Sequence, residues 1–316
     1  MDYSLLFNGL FQDVLYKEQM WFIVSNERIV HAIQKMGSAY KPLPKEAKLA
    51  AESENDVDYS DPAFRCAYLH KYAACYSAMT FQIVKNILSN ADNIYYYFNS
   101  KKTLNLCSLG GGPGTDVIAM QAALFACFSI PVCSATIIDL AENWNETFNS
   151  ALLELQSGSY GVVGQAFLPE FFNFQYLGAD LKDDIAWNLC IRNVIMSADV
   201  ITMVKFISST ASVNAKRILK GICECMKPGA MLLFIDNSAG GFHELVQEIS
   251  EENDFRTVFG PLLHYFYEDS RLSVRQFGYV RQSKAKVNVH MWQKPKEIVQ
   301  NSWNNWSTKE LYSDFS

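Results

Sequence analysis

Residues 103–120, TLNLCSLGGGPGTDVIAM, constrain the fold more than any other part of the chain. An apolar run from Leu104 to Leu109 stops at three consecutive glycines, and after Pro113 and Gly114 an apolar stretch resumes at helical spacing from Thr115. The pattern predicts a buried strand, a tight glycine turn and a helix start. Glycine is needed where the backbone takes a positive φ, or where a ligand comes too close for a Cβ. The helix start leaves free N–H groups that suit a polar or anionic ligand group.

Two ligand classes use such a turn. The dinucleotide fingerprint is G-x-G-x-x-G. Here Gly110, Gly112 and Gly114 give G-x-G-x-G, and Thr115 fills the position of the third dinucleotide glycine. Asp116 follows at once, and its charge opposes a pyrophosphate. S-adenosylmethionine carries no phosphate and has an α-amino group and a sulfonium, so it tolerates that carboxylate. A bland turn in an α/β protein is the third reading, and the turn alone does not choose among them.

From residue 103 the chain alternates strand and helix. Predicted strands cover 104–109, the run ending at Asp139, residues 173–178, 199–204 and 231–235. Predicted helices cover 115–128, 145–155, 183–196, 212–226 and about 242–252. Alternation of this kind implies a parallel sheet with helices on both faces. Ligands of such sheets bind at the carboxyl ends of the strands. Gly110–Gly114, Asp139, Asp180, Lys205 and Asp236-Asn237 all fall at predicted carboxyl ends.

Before the sheet, residues 1–37 predict two helices, and the polar stretch 38–58 predicts a connection or lid with one helical turn near 45–52. Asp61-Pro62 is a helix start, an N-cap carboxylate with proline at N1. The helix it opens runs to about Asn90 and carries Tyr68, Tyr72 and Tyr76. Core packing explains these tyrosines; alternatively Tyr68 or Tyr72 covers the ligand pocket. After the sheet core, LSVRQFGYVRQ and KAKVNVHMWQK predict an antiparallel hairpin. Residues 298–316 predict an irregular tail or terminal helix.

The net charge of −6 argues against bulk attraction to nucleic acid or membrane. Eight cysteines sit mostly in apolar stretches without zinc spacing, so no metal is expected and buried free thiols in a reducing compartment are. The first residues lack the basic start of a signal peptide and no run of about 18 apolar residues occurs, so a cytoplasmic or nuclear location is expected.

The pieces LCSLGGGPGTD, IIDL, GADL and MKPGAMLLFID together resemble the class I S-adenosylmethionine-dependent methyltransferases, over about residues 60–294. The resemblance implies a seven-stranded, mostly parallel Rossmann-like sheet with helices on both faces and an antiparallel C-terminal hairpin containing the family's reversed seventh strand. It divides the chain into an N-terminal helical extension (1–58), a cofactor-binding domain (59–296) and a tail (297–316). It implies S-adenosylmethionine as cofactor, held by Gly110, Gly111, Gly112, Pro113, Gly114 and Asp116, by Asp139 and Leu140 at the ribose, and by Asp180 and Leu181 at the adenine. Val204 and Tyr72 complete the expected pocket. The usual acidic residue two before the first glycine is Ser108 here, so Asp116 or a residue of the 61–90 helix is expected to meet the methionine amino group.

Lys205, Asp236 and Asn237 are the candidate catalytic residues, because the acceptor sits over these strand ends. The base-amine turn, the cytosine-type cysteine loop and the paired-glutamate loop of other methyltransferases are missing. Between Arg271 and Lys296 lie seven basic residues and no acid, with Phe277, Tyr279 and Trp292 interleaved. That patch suits RNA as acceptor, and it equally suits a solvated strand face over a core. An acceptor protein or small molecule stays open, as does a non-catalytic cofactor-binding sensor or scaffold.

Overall fold

The computed structural model describes residues 2–39, 57–128, 132–181, 189–210 and 215–296. The tail and the lid turn expected near 45–52 lie outside them. Seven strands form one sheet: β1 (Thr103–Leu109), β2 (Val132–Asp139), β3 (Phe172–Gly178), β4 (Val200–Val204), β5 (Met231–Asn237), β6 (Arg256–Glu268) and β9 (Lys284–Gln293). Their order is β3-β2-β1-β4-β5-β9-β6. The first five are parallel, and β9 runs against both β5 and β6. This is a Rossmann-like sheet with the reversed strand that the resemblance implies. The chain steps one way from β1 to β3 and then returns to β4 on the other side of β1. The point of reversal, between β1 and β4, is where open α/β sheets bind ligands.

Composition explains the layers. β5 is buried along Met231–Asp236, as a strand covered on both faces must be. On one face lie α1 (Tyr3–Trp21), the long helix described below, α6 (Thr115–Cys127) and α7 (Trp144–Gln156); their apolar side chains share one core cluster with Leu106, Val200 and Leu233. On the other face α9 (Leu189–Ser197), α11 (Ala215–Cys225) and α12 (Phe242–Glu252) pack around Leu109, Ile201 and Phe234. The other α-helices among the described residues are α2 (Asn26–Ala39), α5 (Asp92–Asn99), α8 (Val162–Gln165) and α10 (Phe206–Thr210). The N-terminal helices belong to the first core: Phe7, Leu10, Phe11, Val14 and Leu15 of α1 are fully buried. Each such side chain contributes about 1.5–3 kcal/mol.

The helix opened by Asp61 has three parts: α3 (Pro62–Tyr68), a π-helical turn (Leu69–Ala73) and α4 (Ala74–Asn90). Asp61 caps it by accepting from the Ala63 N–H at 2.8 Å.

The C-terminal antiparallel hairpin is present, with a different first arm from the one expected. β9 is the predicted second arm, but its partner is β6, whereas 272–282 leaves the sheet as a short ribbon of β7 (Arg275–Gln276) and β8 (Tyr279–Val280). β6 carries three register shifts around its Gly260-Pro261 and lies at the sheet edge, so its side chains do not alternate between core and solvent. That ribbon docks on the π turn. Lys71 Nζ donates to the Val280 carbonyl at 2.7 Å, and the Gln282 N–H donates to the Lys71 carbonyl at 2.9 Å.

Candidate functional site

The glycine turn connects β1 to α6 with Gly110, Gly112 and Gly114 all at positive φ. Their surroundings differ. A Cβ on Gly110 would stand 2.6 Å from the Phe206 ring, one on Gly111 would strike the Ser108 hydroxyl, and one on Gly114 would strike Phe148. Those three let the turn pack onto its own neighbours. Gly112 alone meets nothing nearer than the Trp144 indole edge, at 3.8 Å. Of the expected glycine cradle, Gly112 is therefore the member with space for a ligand, beneath an aromatic ring.

Asp139 ends β2 beside it. One carboxylate oxygen accepts from the Gly112 N–H at 2.8 Å and the other from the Ala141 N–H at 3.1 Å. Each oxygen keeps acceptor capacity. Burial pushes this carboxyl up, against the lowering effect of the two N–H donors. The Tyr176 hydroxyl donates to the carbonyls of Gly112 and Ala141, both at 3.3 Å, and ties the two loops together. Leu140 is exposed next to Asp139.

Asp116 is a correction. Its carboxylate is buried beneath the turn, where one oxygen accepts from Ser108 Oγ at 2.7 Å and Thr202 Oγ1 at 2.5 Å. The other oxygen is buried without a hydrogen-bond partner among the described residues. The side chain joins α6 to β1 and β4 from below instead of facing the crevice. Burial pushes its carboxyl up. Asp180 is exposed at the end of β3, and Leu181 is buried in the core of the α9 face. Val204 is half-buried at the end of β4, and Pro113 is buried within the turn.

The three catalytic candidates come together. Lys205 follows β4 with φ at 58°, a left-handed conformation uncommon outside glycine. Its Nζ donates to Asn237 Oδ1 at 2.5 Å and lies 5.5 Å from the centre of the Tyr76 ring. Asp236 is buried, and its two oxygens accept from the Asn237 N–H at 2.7 Å and the Ser208 N–H at 2.9 Å. Burial pulls the Lys205 ammonium down and pushes the Asp236 carboxyl up, and each partly offsets the other.

An aromatic wall joins the two halves of the site. Trp144 lies 5.4 Å from Tyr68 and 5.0 Å from Tyr59, Tyr68 lies 5.7 Å from Tyr72, and Tyr72 stacks on Tyr76 at 5.7 Å. The long helix thus lays Tyr68, Tyr72 and Tyr76 along the strand ends, with the π turn between the first and last of them. Such turns recur at functional sites. Sequence reasoning missed Trp144, Tyr59 and Tyr176. The available signal was Trp144 opening the helix after the β2 acid.

Part of the basic patch is drawn into the fold, while Arg275, Lys286 and Lys296 stay exposed. Arg281 is buried and donates to the His70 carbonyl, Asn8 and Gln12. Arg271 pairs with Asp2 and Asp269, Lys284 pairs with Glu268, and Lys294 donates to the Cys223 and Glu224 carbonyls. A cavity of about 580 Å³ lies at the opposite, amino-terminal edge of the sheet, lined by Lys227, Pro228 and Lys294 among others, away from all the strand-end residues. Among the described residues no cluster of three or more His, Cys, Asp or Glu is placed to hold a metal, and no helix is long and apolar enough to cross a membrane.

No family model matches the chain, and no curated protein matches it. Among solved structures it is similar to a SAM-dependent methyltransferase from Methanosarcina mazei, at 14% identity over 65% of this chain and 98% of that one, with a TM-score of 0.38. It is also similar to magnesium protoporphyrin IX methyltransferase from Synechocystis with bound SAM, at 12% identity over 71% and 84% of the two chains, with a TM-score of 0.41. An O-methyltransferase family protein from Burkholderia thailandensis is 14% identical over 93% of this chain and 72% of that one, with a TM-score of 0.41. These are loose superpositions; the strand order and the strand-end residues are the features of this chain itself that bear on function.

Proposed function

We propose that the chain binds S-adenosylmethionine at the point where the strand order reverses and transfers its methyl group to an acceptor held at Lys205 and Asn237. The observation that carries this reading is the unbroken row of ring contacts along the strand ends. Gly112 and Asp139 stand at one end, Lys205 and Asn237 at the other, and the rings of Trp144, Tyr68, Tyr72 and Tyr76 run between them.

The residues present fit the cofactor. Gly112 leaves space under Trp144 that a Cβ would begin to fill. Asp139 keeps acceptor capacity on both oxygens for a ribose diol, and exposed Leu140 offers an apolar edge for the adenine. Tyrosine and tryptophan faces attract cations, which suits a sulfonium. S-adenosylmethionine, when bound, supplies a methyl group on that sulfonium, ready for in-line displacement. Tyr72 and Tyr76 flank the path to the acceptor. Lys205 and Asn237 hold the acceptor, so that proximity and alignment provide most of the rate. With Arg281 buried and Arg271 and Lys284 in ion pairs, the hairpin gives RNA no preference over a protein or small-molecule acceptor.

Calorimetric titration with S-adenosylmethionine tests the reading. The wild-type protein binds with measurable heat, and Gly112→Arg, which fills the space beneath Trp144, abolishes binding while leaving the thermal transition cooperative. A wild-type protein that gives no binding heat and no thermal shift with the cofactor would refute it.

A further inference from the structure

The acceptor end of the crevice has a charge pattern of its own. Lys205 Nζ has one hydrogen-bond acceptor among the described residues, the neutral Asn237 Oδ1 at 2.5 Å, and no carboxylate within ion-pair distance. The nearby Asp236 carboxylate eases the cost of the ammonium by its charge, but its oxygens accept from the backbone N–H groups of Ser208 and Asn237 and not from Lys205. The ammonium thus donates to a single neutral acceptor, and two of its three N–H donors have no described partner.

The amide of Asn237 points the same way. Its oxygen faces the ammonium, so its NH2 group faces outward from an exposed residue and donates to no described residue. The two side chains therefore present adjacent donors and no acceptor. Backbone strain aims one of them: Lys205 holds φ at 58° while its N–H donates to the Ile235 carbonyl at 2.9 Å. A non-glycine residue in that region is strained and persists where the surroundings impose it. The next residue, Phe206, packs against Gly110, which pins the chain just after the strain.

We infer that Lys205 and Asn237 form an anion-binding site for the acceptor, and that the acceptor is a small organic acid gripped by its carboxylate. This rests on the methyltransferase reading above. The donors suit a carboxylate: the ammonium provides a charge-assisted hydrogen bond and the amide provides a second, neutral one. The cofactor's own α-carboxylate has the same chemistry, and the test below separates the two sources.

The test uses Lys205→Gly, because glycine adopts a positive φ without strain, so the variant removes the side chain and keeps the turn. Binding of S-adenosylhomocysteine is measured by calorimetry in wild type and variant. Saturation-transfer NMR then compares benzoate, salicylate and hexanoate with benzamide, salicylamide and hexanamide, each with S-adenosylhomocysteine present. A charged hydrogen bond of this kind is worth roughly 10- to 100-fold in affinity. The expected result is that the acids outbind their amides in wild type, that Lys205→Gly abolishes the preference, and that S-adenosylhomocysteine affinity stays within about 2-fold. Asn237→Leu, a milder change, reduces the preference without abolishing it. Acids that bind no better than amides overturn the proposal, as does a preference that survives Lys205→Gly. A large loss of S-adenosylhomocysteine affinity in Lys205→Gly overturns it in favour of the cofactor's carboxylate. Wild-type protein that binds no S-adenosylhomocysteine refutes the underlying reading instead.

Discussion

Asp116, buried, and Asp139, half-buried, are carboxylates on either side of one glycine turn, and their oxygens are committed differently. Asp139 takes two backbone N–H groups and keeps acceptor capacity toward the crevice, whereas Asp116 takes two hydroxyls from below and leaves its second oxygen sealed in the core. Their substitutions should separate cleanly. Asp139→Asn replaces one acceptor with an NH2 group facing a backbone N–H, and S-adenosylmethionine affinity falls roughly 10-fold or more in calorimetry. Asp116→Asn keeps one oxygen for Ser108 and Thr202 but buries an NH2 without an acceptor. It costs about 1–3 kcal/mol of stability in urea denaturation while cofactor affinity holds. The sequence locates both acids, since each falls where a strand gives way to a loop or helix. It does not orient Asp116, because that depends on Thr202, a partner 86 residues away.

The same distinction holds for elements. Strands β1, β2, β4 and β5 announce themselves as largely apolar runs ended by a glycine or a charged residue, because a parallel strand buried on both faces is apolar throughout. β6 is hidden, since an edge strand with three register shifts shows neither a continuous run nor a clean alternation. The role of α1 was hidden for another reason: it lies in one charge pair. Glu18 of α1 and Arg65 of α3 are both buried and bonded to each other. Arg65 Nη1 also donates to the carbonyls of Tyr59 at 3.1 Å and Ser60 at 3.0 Å, and Thr147 of α7 donates to Glu18 at 3.2 Å. Burial pushes the Glu18 carboxyl up even with the guanidinium beside it. The N-terminal helix thereby fixes the backbone of Tyr59, whose ring meets Trp144 over the glycine turn. Removing one partner strands the other charge, so Arg65→Met should lower stability by about 3–5 kcal/mol, while the paired change Glu18→Leu with Arg65→Met should be milder. Urea midpoints of the two variants check this; equal losses would show that packing, not the stranded charge, sets the cost.

At the scale of the whole molecule, three buried imidazoles tie stability to pH. His70, under the β7–β8 ribbon, donates from Nε2 to the Tyr279 carbonyl at 3.1 Å. His243 and His290 face each other at 3.1 Å between α12 and β9, and His290 also meets Thr257 Oγ1 at 2.9 Å. Burial pulls His70 and His290 down to about 4, and pulls His243 down as well. The unfolded chain binds protons at these positions near the ordinary histidine value of about 6.5. A folded value below the unfolded one means that the unfolded state holds more protons between about pH 6.5 and 4. Stability is therefore full above that window and falls as the pH drops through it. Each imidazole adds a slope of about 1.4 kcal/mol per pH unit. The buried acids act in the opposite sense, since Asp116, Asp139 and Asp236 are raised and gain protons more readily when folded. A single substitution isolates the histidine contribution. His290→Gln keeps a donor and an acceptor for His243 and Thr257 but cannot titrate. Its unfolding free energy, measured in urea from pH 7 down to pH 5, should lie below wild type at pH 7 and fall less steeply, so that the two lines converge. Parallel lines would mean that His290 does not gain its proton on unfolding, and the link between this edge of the sheet and acid stability would be lost.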